Sequence, residues 1–234
     1  MTSRLMAVAF EAADPARVGT FWAALLGRPE VDDGRGVLVP GTETQLGLRF
    51  VPSSSAKVDQ NPLHLHLTST SEADQQDVVG RALGLGARHL DVGQLPGERH
   101  VVLADPEGNE LCVIEPGTSF LAGTGFLGEV TCEGTRADGL FWSAALGWPL
   151  VWDQDQETAV QSPEGGTKIS WGGEPPGERH PGGRQWFELA VVAGGLADEV
   201  ARLVGLGAAR AALDDRVVEL TDPDGNVFSL RPAR

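Results

Sequence analysis

The chain has 234 residues, 41% of them hydrophobic, and carries 33 acidic residues against 18 Lys and Arg, for a net charge of −15. That surplus excludes nucleic acid and anionic membranes as partners, because both demand positive protein surface. No apolar run approaches the roughly 20 residues of a membrane helix. The first residues lack the apolar block and cleavage site of a signal peptide, and Cys112 and Cys132 form no CxxC pair, so a reducing cytoplasm is expected.

In chain order, residues 4–12 read as a strand. Asp14 offers an N-cap and Pro15 takes the first helical position. An amphipathic helix follows, with Val18, Phe21, Trp22, Leu25 and Leu26 on one stripe and Gly27 closing it. Short strands are expected near 36–40 and 45–51. Leu63-His64-Leu65-His66-Leu67 alternates strictly, which predicts a strand with leucines on one face and histidines on the other. Ser71 and Asp74 resemble a capping box opening a helix over 72–84. Strands follow near 87–92, 100–104 and 110–114, with a tight turn at Asp105-Pro106-Glu107-Gly108 before the last.

The sequence then repeats. Phe21–Pro29 matches Phe141–Pro149 at six of nine positions, Val79–Ala87 matches Val200–Ala208 at six of nine, and Asp105–Asn109 matches Asp222–Asn226 at four of five. The matches keep their order, with offsets of 120, 121 and 117, so the chain holds two homologous halves. They are expected as domains over 1–118 and 124–234. Each half states the order strand, helix, three strands twice. A unit of about 55 residues is marginal alone, so the units should pair. Helices would then cover one sheet face and leave the other for a ligand.

The stretch Asp14–Gly27 with its Phe21-Trp22 pair, its echo at 141–147, and the paired DPEGN and DPDGN turns before a final strand resemble the vicinal-oxygen-chelate superfamily. That group includes glyoxalase I, bleomycin-resistance proteins and extradiol dioxygenases, and the likeness covers nearly the whole chain. It implies an α+β fold of four βαβββ units forming two tandem glyoxalase-like domains with curved mixed sheets, each shaped as a cup. It also implies a divalent metal in the cup. The corresponding ligand positions fall on Ala7, His64 and Cys112 in the first half and near Leu127, Trp186 and Ser229 in the second. Only His64 is a standard ligand there, and Cys112 stands where the family's metal enzymes have Glu.

Two readings of the site follow. His64 and His66 share a strand face, and by alternation Glu110 and Cys112 point with them into the first cup. These four are either a mixed metal cluster suited to Zn or Fe(II) or the polar wall of a pocket. In the second half Trp186 and Glu188 replace His64 and His66. With Trp171 and Trp152 they either line a cup for a flat aromatic or cationic compound or fill it. Arg49 either meets an anionic ligand in the first cup or is a solvated edge residue. The first functional expectation is a metal-free, cofactor-free protein that sequesters an aromatic or amphipathic small molecule, as a monomer or homodimer. Its alternative is a metal-dependent lyase, isomerase or dioxygenase-like enzyme using the first cup.

Overall fold

The Asp14 side chain accepts a hydrogen bond from the Arg17 backbone N–H at 3.0 Å, and Gly27 turns the chain out at φ 65°, so the first helix runs Pro15–Leu26. Only glycine adopts that left-handed conformation without strain. The second helix opens on Ser71, whose Oγ accepts from Asp74 N at 3.1 Å, while the Asp74 carboxylate reaches back to Thr70 N at 2.7 Å. The capping signal is real, but its return bond lands one residue earlier than in a standard box. The computed structural model describes residues 2–173, 184–213 and 217–233.

The first unit is β1 (Ser3–Ala12), α1 (Pro15–Leu26), β2 (Val31–Asp32), β3 (Val37–Val39) and β4 (Gly47–Pro52). The second is β5 (Leu63–Leu67), α2 (Glu72–Gly84), β6 (Arg88–His89), β7 (Val101–Ala104) and β8 (Glu110–Val113). A single 3-10 turn at Ser119–Leu121 leads to the third unit, β9 (Leu127–Glu133), α3 (Arg136–Leu146), β10 (Leu150–Gln154), β11 (Glu157–Gln161) and β12 (Lys168–Gly172). The fourth is β13 (Gln185–Val191), α4 (Leu196–Gly205), β14 (Ala209–Leu213), β15 (Val218–Thr221) and β16 (Val227–Pro232).

Two eight-stranded mixed sheets result, and each takes one unit from each half. The first sheet runs β14-β15-β16-β13-β1-β4-β3-β2, joining units one and four. The second runs β10-β11-β12-β9-β5-β8-β7-β6, joining units two and three. The seams are antiparallel, β1 on β13 with Ala7 opposite Glu188, and β5 on β9 with His66 opposite Glu129. This corrects the expectation of curved sheets forming a cup within each half. Both ladders are open and neither curves round or closes. The reason lies in the edges: β2 and β6 are two exposed residues each, too short to pair onward.

One large hydrophobic core joins both sheets and all four helices. Two glycines at equivalent helix positions bring the helices close to the sheets. A Cβ on Gly19 would lie 2.3 Å from Val37, and one on Gly139 would lie 1.9 Å from Thr158 Oγ1. Trp22 and Trp142 are fully buried here, as the helix stripe predicts. The indole N–H of Trp22 donates to Asp105 at 3.0 Å, and that of Trp142 donates to Asp222 at 3.2 Å. Each bond spans the two sheets, since α1 packs on β3 and β4 of the first and α3 on β11 and β12 of the second. The repeated Phe-Trp and Asp-Pro motifs are therefore two ends of one contact. Trp22→Phe should lower stability by about 1–2 kcal/mol, read by urea unfolding, because it removes one of the hydrogen bonds that satisfy a buried carboxylate.

The second half adds a carboxylate to this contact. Asp138 is fully buried beside Asp222, where the first half has Val18. It accepts from Asp224 N at 3.1 Å and from Asn226 Nδ2 at 2.8 Å. Burial, and then the neighbouring charges of Asp222 and Asp224, push the Asp138 carboxyl well above the ordinary carboxylate range. The folded state therefore holds a proton that the unfolded chain releases near pH 4. Its stabilising effect is complete below that pH and is lost as pH rises toward the raised value. Asp138→Asn should flatten the decline in melting temperature between pH 5 and pH 8, measured by calorimetry over that series.

Candidate functional site

On the second sheet, cross-strand register lays a polar row on the face opposite the core. It runs Val102, Cys112, His66, Glu129 and Lys168, one residue from each of β7, β8, β5, β9 and β12. His66 Nδ1 lies 2.8 Å from Glu129 Oε2, and Ser170 Oγ donates to Glu129 Oε1 at 2.5 Å. Burial alone would lower the His66 pKa, but hydrogen bonds to Cys112 and Glu129 and their charges outweigh it and push it up to about 10. His66 is thus an imidazolium at neutral pH.

His64 sits in the next row, opposite Thr131. Its ring bonds to the backbone of Asn61, and burial, its largest influence, lowers its pKa. Its Nε2 is buried without a hydrogen-bond partner. The two histidines of one strand face are therefore pushed in opposite directions, His64 toward the neutral form and His66 toward the charged one. Trp152, 39% exposed, shares the His64 row through Ala159 and Ser170 and meets Phe120 edge-on at 6.0 Å. Phe120 also lies beneath Lys168 Nζ, 4.3 Å from the ring centroid. Phe120 belongs to a small apolar cluster with Val102, Cys112, Ile114 and Leu121. Ile114 and Leu121 also line an adjoining cavity of 510 Å³.

The four residues expected in the first cup share one sheet face but form no single cluster. Glu110 is held by Lys57 Nζ at 2.6 Å and by Asn61 N at 3.2 Å and acts on His64 through its charge, while His66 bonds to both Cys112 and Glu129. Sequence reasoning missed Glu129 because it set Leu127 opposite Ala7 in the repeat. Leu127 is fully buried in the core, and Glu129, 122 residues after Ala7, occupies the equivalent seam position. The alternation in Leu127-Gly-Glu-Val-Thr-Cys132 would have placed Glu129 and Thr131 on one face.

On the first sheet the same face carries ions. Arg49, 3% exposed, donates from Nε to Glu188 at 2.7 Å and from its two Nη atoms to Asp33 at 2.8 and 3.0 Å. Sequence reasoning put Arg49 and Glu188 in separate cups, but pairing across the halves unites them. A cationic ligand beside Glu188 is also excluded, because Arg49, Arg35 and Arg231 already surround it. Burial raises the Asp33 pKa, but Arg49 and Arg35 together hold it far below the usual carboxylate range. Trp186 is on this face opposite Ala9. Trp171 is not on a ligand face. It is 1% exposed and stacks on Trp142 at 6.4 Å and 10° in the core. Trp152, Trp171 and Trp186 thus lie in three places rather than around one compound.

The metal implied by the resemblance does not fit either face as folded. On the first sheet, Ala7 offers no donor and the Arg49 guanidinium binds Glu188. On the second, His64 and His66 are the standard ligands of the face, and no third donor is grouped with them among the described residues. Among the described residues no group of three or more His, Cys, Asp or Glu side chains is placed to hold an ion. No helix among them is long and apolar enough to cross a membrane.

The family model for the glyoxalase-like domain matches the chain twice, over residues 7–114 and 129–231. Among solved structures, glyoxalase I from Zea mays superposes with a TM-score of 0.68 at 15% identity, covering 98% of this chain and 92% of that one. A putative dioxygenase from Bacillus subtilis gives a TM-score of 0.62 at 15% identity, covering 97% and 84%. At such identities these likenesses show the fold alone. No curated protein matches the sequence significantly. Two matches to one domain model, an unbroken repeat and a shared two-sheet fold place the chain in the glyoxalase-like domain family of the vicinal-oxygen-chelate superfamily, whose fold serves small-molecule binding and catalysis.

Proposed function

We propose that the protein is a lyase or isomerase that moves a proton on a small carbonyl compound at the His64–His66 face of the second sheet. The observation that carries this reading is the placement of two histidines on one strand face, one paired with Glu129 and the other with an unpartnered ring nitrogen. Where neighbouring groups are driven apart in pKa, one is fitted to act as base and the other as acid. His64 has its ring fixed by Asn61 and its Nε2 lone pair uncommitted. His66 holds its charge against Glu129. Two residues along a strand separate their Cα atoms by about 6–7 Å, which lets one small substrate span both.

In this mechanism a small rotation of the His64 ring brings its buried Nε2 onto the bound substrate, where it takes the proton from the carbon next to the carbonyl. The positive charge that Glu129 supports on His66 stabilises the oxyanion that develops as the electron pair moves to oxygen. On an α-hydroxycarbonyl substrate the neighbouring hydroxyl gives its proton to that oxyanion and becomes the new carbonyl, while His64 returns the first proton to the former carbonyl carbon, so the enzyme ends unchanged and the substrate is isomerised. Glu129 keeps His66 charged throughout, and the apolar cluster around Phe120 and Leu121 excludes water. The likeness to glyoxalase I and to a putative dioxygenase supports an enzyme on this fold over simple sequestration.

Solvent-deuterium incorporation into small α-hydroxyketones and thiohemiacetals, followed by NMR, tests the reading. The protein should accelerate exchange, and His64→Gln should lose about 100-fold or more of that rate. Unaccelerated exchange across the panel, or a rate indifferent to His64→Gln, would remove it. Quenching of Trp152 by a compound without exchange would instead return the protein to sequestration. Independently, imidazole carbon shifts should show His66 charged beyond pH 8, and Glu129→Gln should bring its pKa down by about one unit or more.

A further inference from the structure

We propose that the first sheet carries a second, separate ligand site, formed by Arg35, Arg231, Ser229 and Glu188, that takes a small carboxylate with a hydrogen-bond donor on the adjacent carbon. Glu188 and Ser229 are directly opposite one another on β13 and β16, and each is 3% exposed. The Arg35 and Arg231 guanidinium groups approach the same atom, Glu188 Oε1, at 3.9 and 3.6 Å. Both distances exceed a hydrogen bond.

The unsatisfied atoms cluster here. Arg35 Nε and Nη1, Arg231 Nε, Ser229 Oγ and Glu188 Oε1 are all buried with no hydrogen-bond partner among the described residues. Orphaned polar atoms are costly, so such a concentration marks a place built for a guest. Their chemistry dictates the guest. The three arginine N–H groups require anionic acceptors, and Glu188 Oε1 requires a donor. A carboxylate flanked by a hydroxyl meets both demands at once, with Ser229 serving either.

The charge count agrees. Arg49, Arg35 and Arg231 face Asp33 and Glu188 in the network. By register, exposed Arg4 and Glu219 lie on the same face, opposite Ala190 and Ser229 respectively. With the Glu11–Arg184 pair at the end of the same face, five arginines against four carboxylates leave one positive charge, on a chain whose net charge is −15. Asp33 takes Arg49 and Arg35 Nη2, which leaves Arg35 Nε and Nη1 and Arg231 Nε without acceptors among the described residues. The Arg35 and Arg231 side chains are 30% and 26% exposed, so they form the outer wall that a ligand must part to reach the buried atoms.

Calorimetric titration with lactate, propionate and inorganic phosphate decides the matter. Lactate should bind, and propionate, which lacks the adjacent donor, about tenfold more weakly. Arg231→Gln and Ser229→Ala should each weaken lactate by about tenfold or more. Arg231→Lys keeps the charge but not the directed N–H, and should fall between if the glutamine variant does not fold. His64→Gln, on the other sheet, should leave lactate binding unchanged, so this site and the proposed catalytic face succeed or fail separately. No lactate binding up to about 10 mM, equal binding of lactate and propionate, or tighter binding of phosphate would each overturn the assignment.

Discussion

Two indole N–H groups hold this molecule to its shape. Trp22 and Trp142 each reach from a helix on one sheet to a buried aspartate in the turn preceding the last strand of the other sheet's unit. An aspartate removed from water is tolerable only when its oxygens are satisfied. Asp105 meets that condition through Trp22, the Asn109 side chain and the backbone N–H groups of Glu107 and Asn109. The tight turn and the helix therefore fix each other. Since each half supplies one unit to each sheet, these bonds tie within a half what the strand ladders separate. Covalent order and strand pairing run across one another, and the tryptophan contacts lock the crossing.

The local grammar was legible. Leu63–Leu67 alternates as a half-buried strand should, and Asp14, Ser71 and Gly27 cap as their chemistry dictates. The repeat was legible because its motifs keep register. The partner of each unit was not, because β1 pairs with β13 some 180 residues away and nothing local encodes that choice. The consequences ran through the candidate site. Arg49 and Glu188 could not be brought together without the seam. Glu129 was lost because the helix-based offset slips by two residues at the strands, where β1 itself carries an irregularity between Leu5 and Ala7. Trp171 deceived for another reason: its strand alternation is genuine, but its inward face is the core.

The two sheet faces illustrate how one backbone supports opposite electrostatics. On the second sheet a histidine and a carboxylate share a seam, with apolar side chains beside them. On the first, the same seam position on β13 is Glu188, opposite an alanine, and an arginine from the neighbouring strand reaches in to neutralise it. Burying an isolated carboxylate there would be prohibitive. The arginine pair thus resolves a problem that a change of residue at the seam creates.

The crossed assembly has a genetic consequence. Two copies of a single half, associating as this chain's halves do, would build two sheets identical by symmetry, and every substitution would appear on both. Joining the copies through the short turn at Ser119–Leu121 ends that obligation. Each codon then writes to one face only. A replacement that destroys one site leaves its twin intact, so the pair can drift apart without passing through a molecule that has lost both.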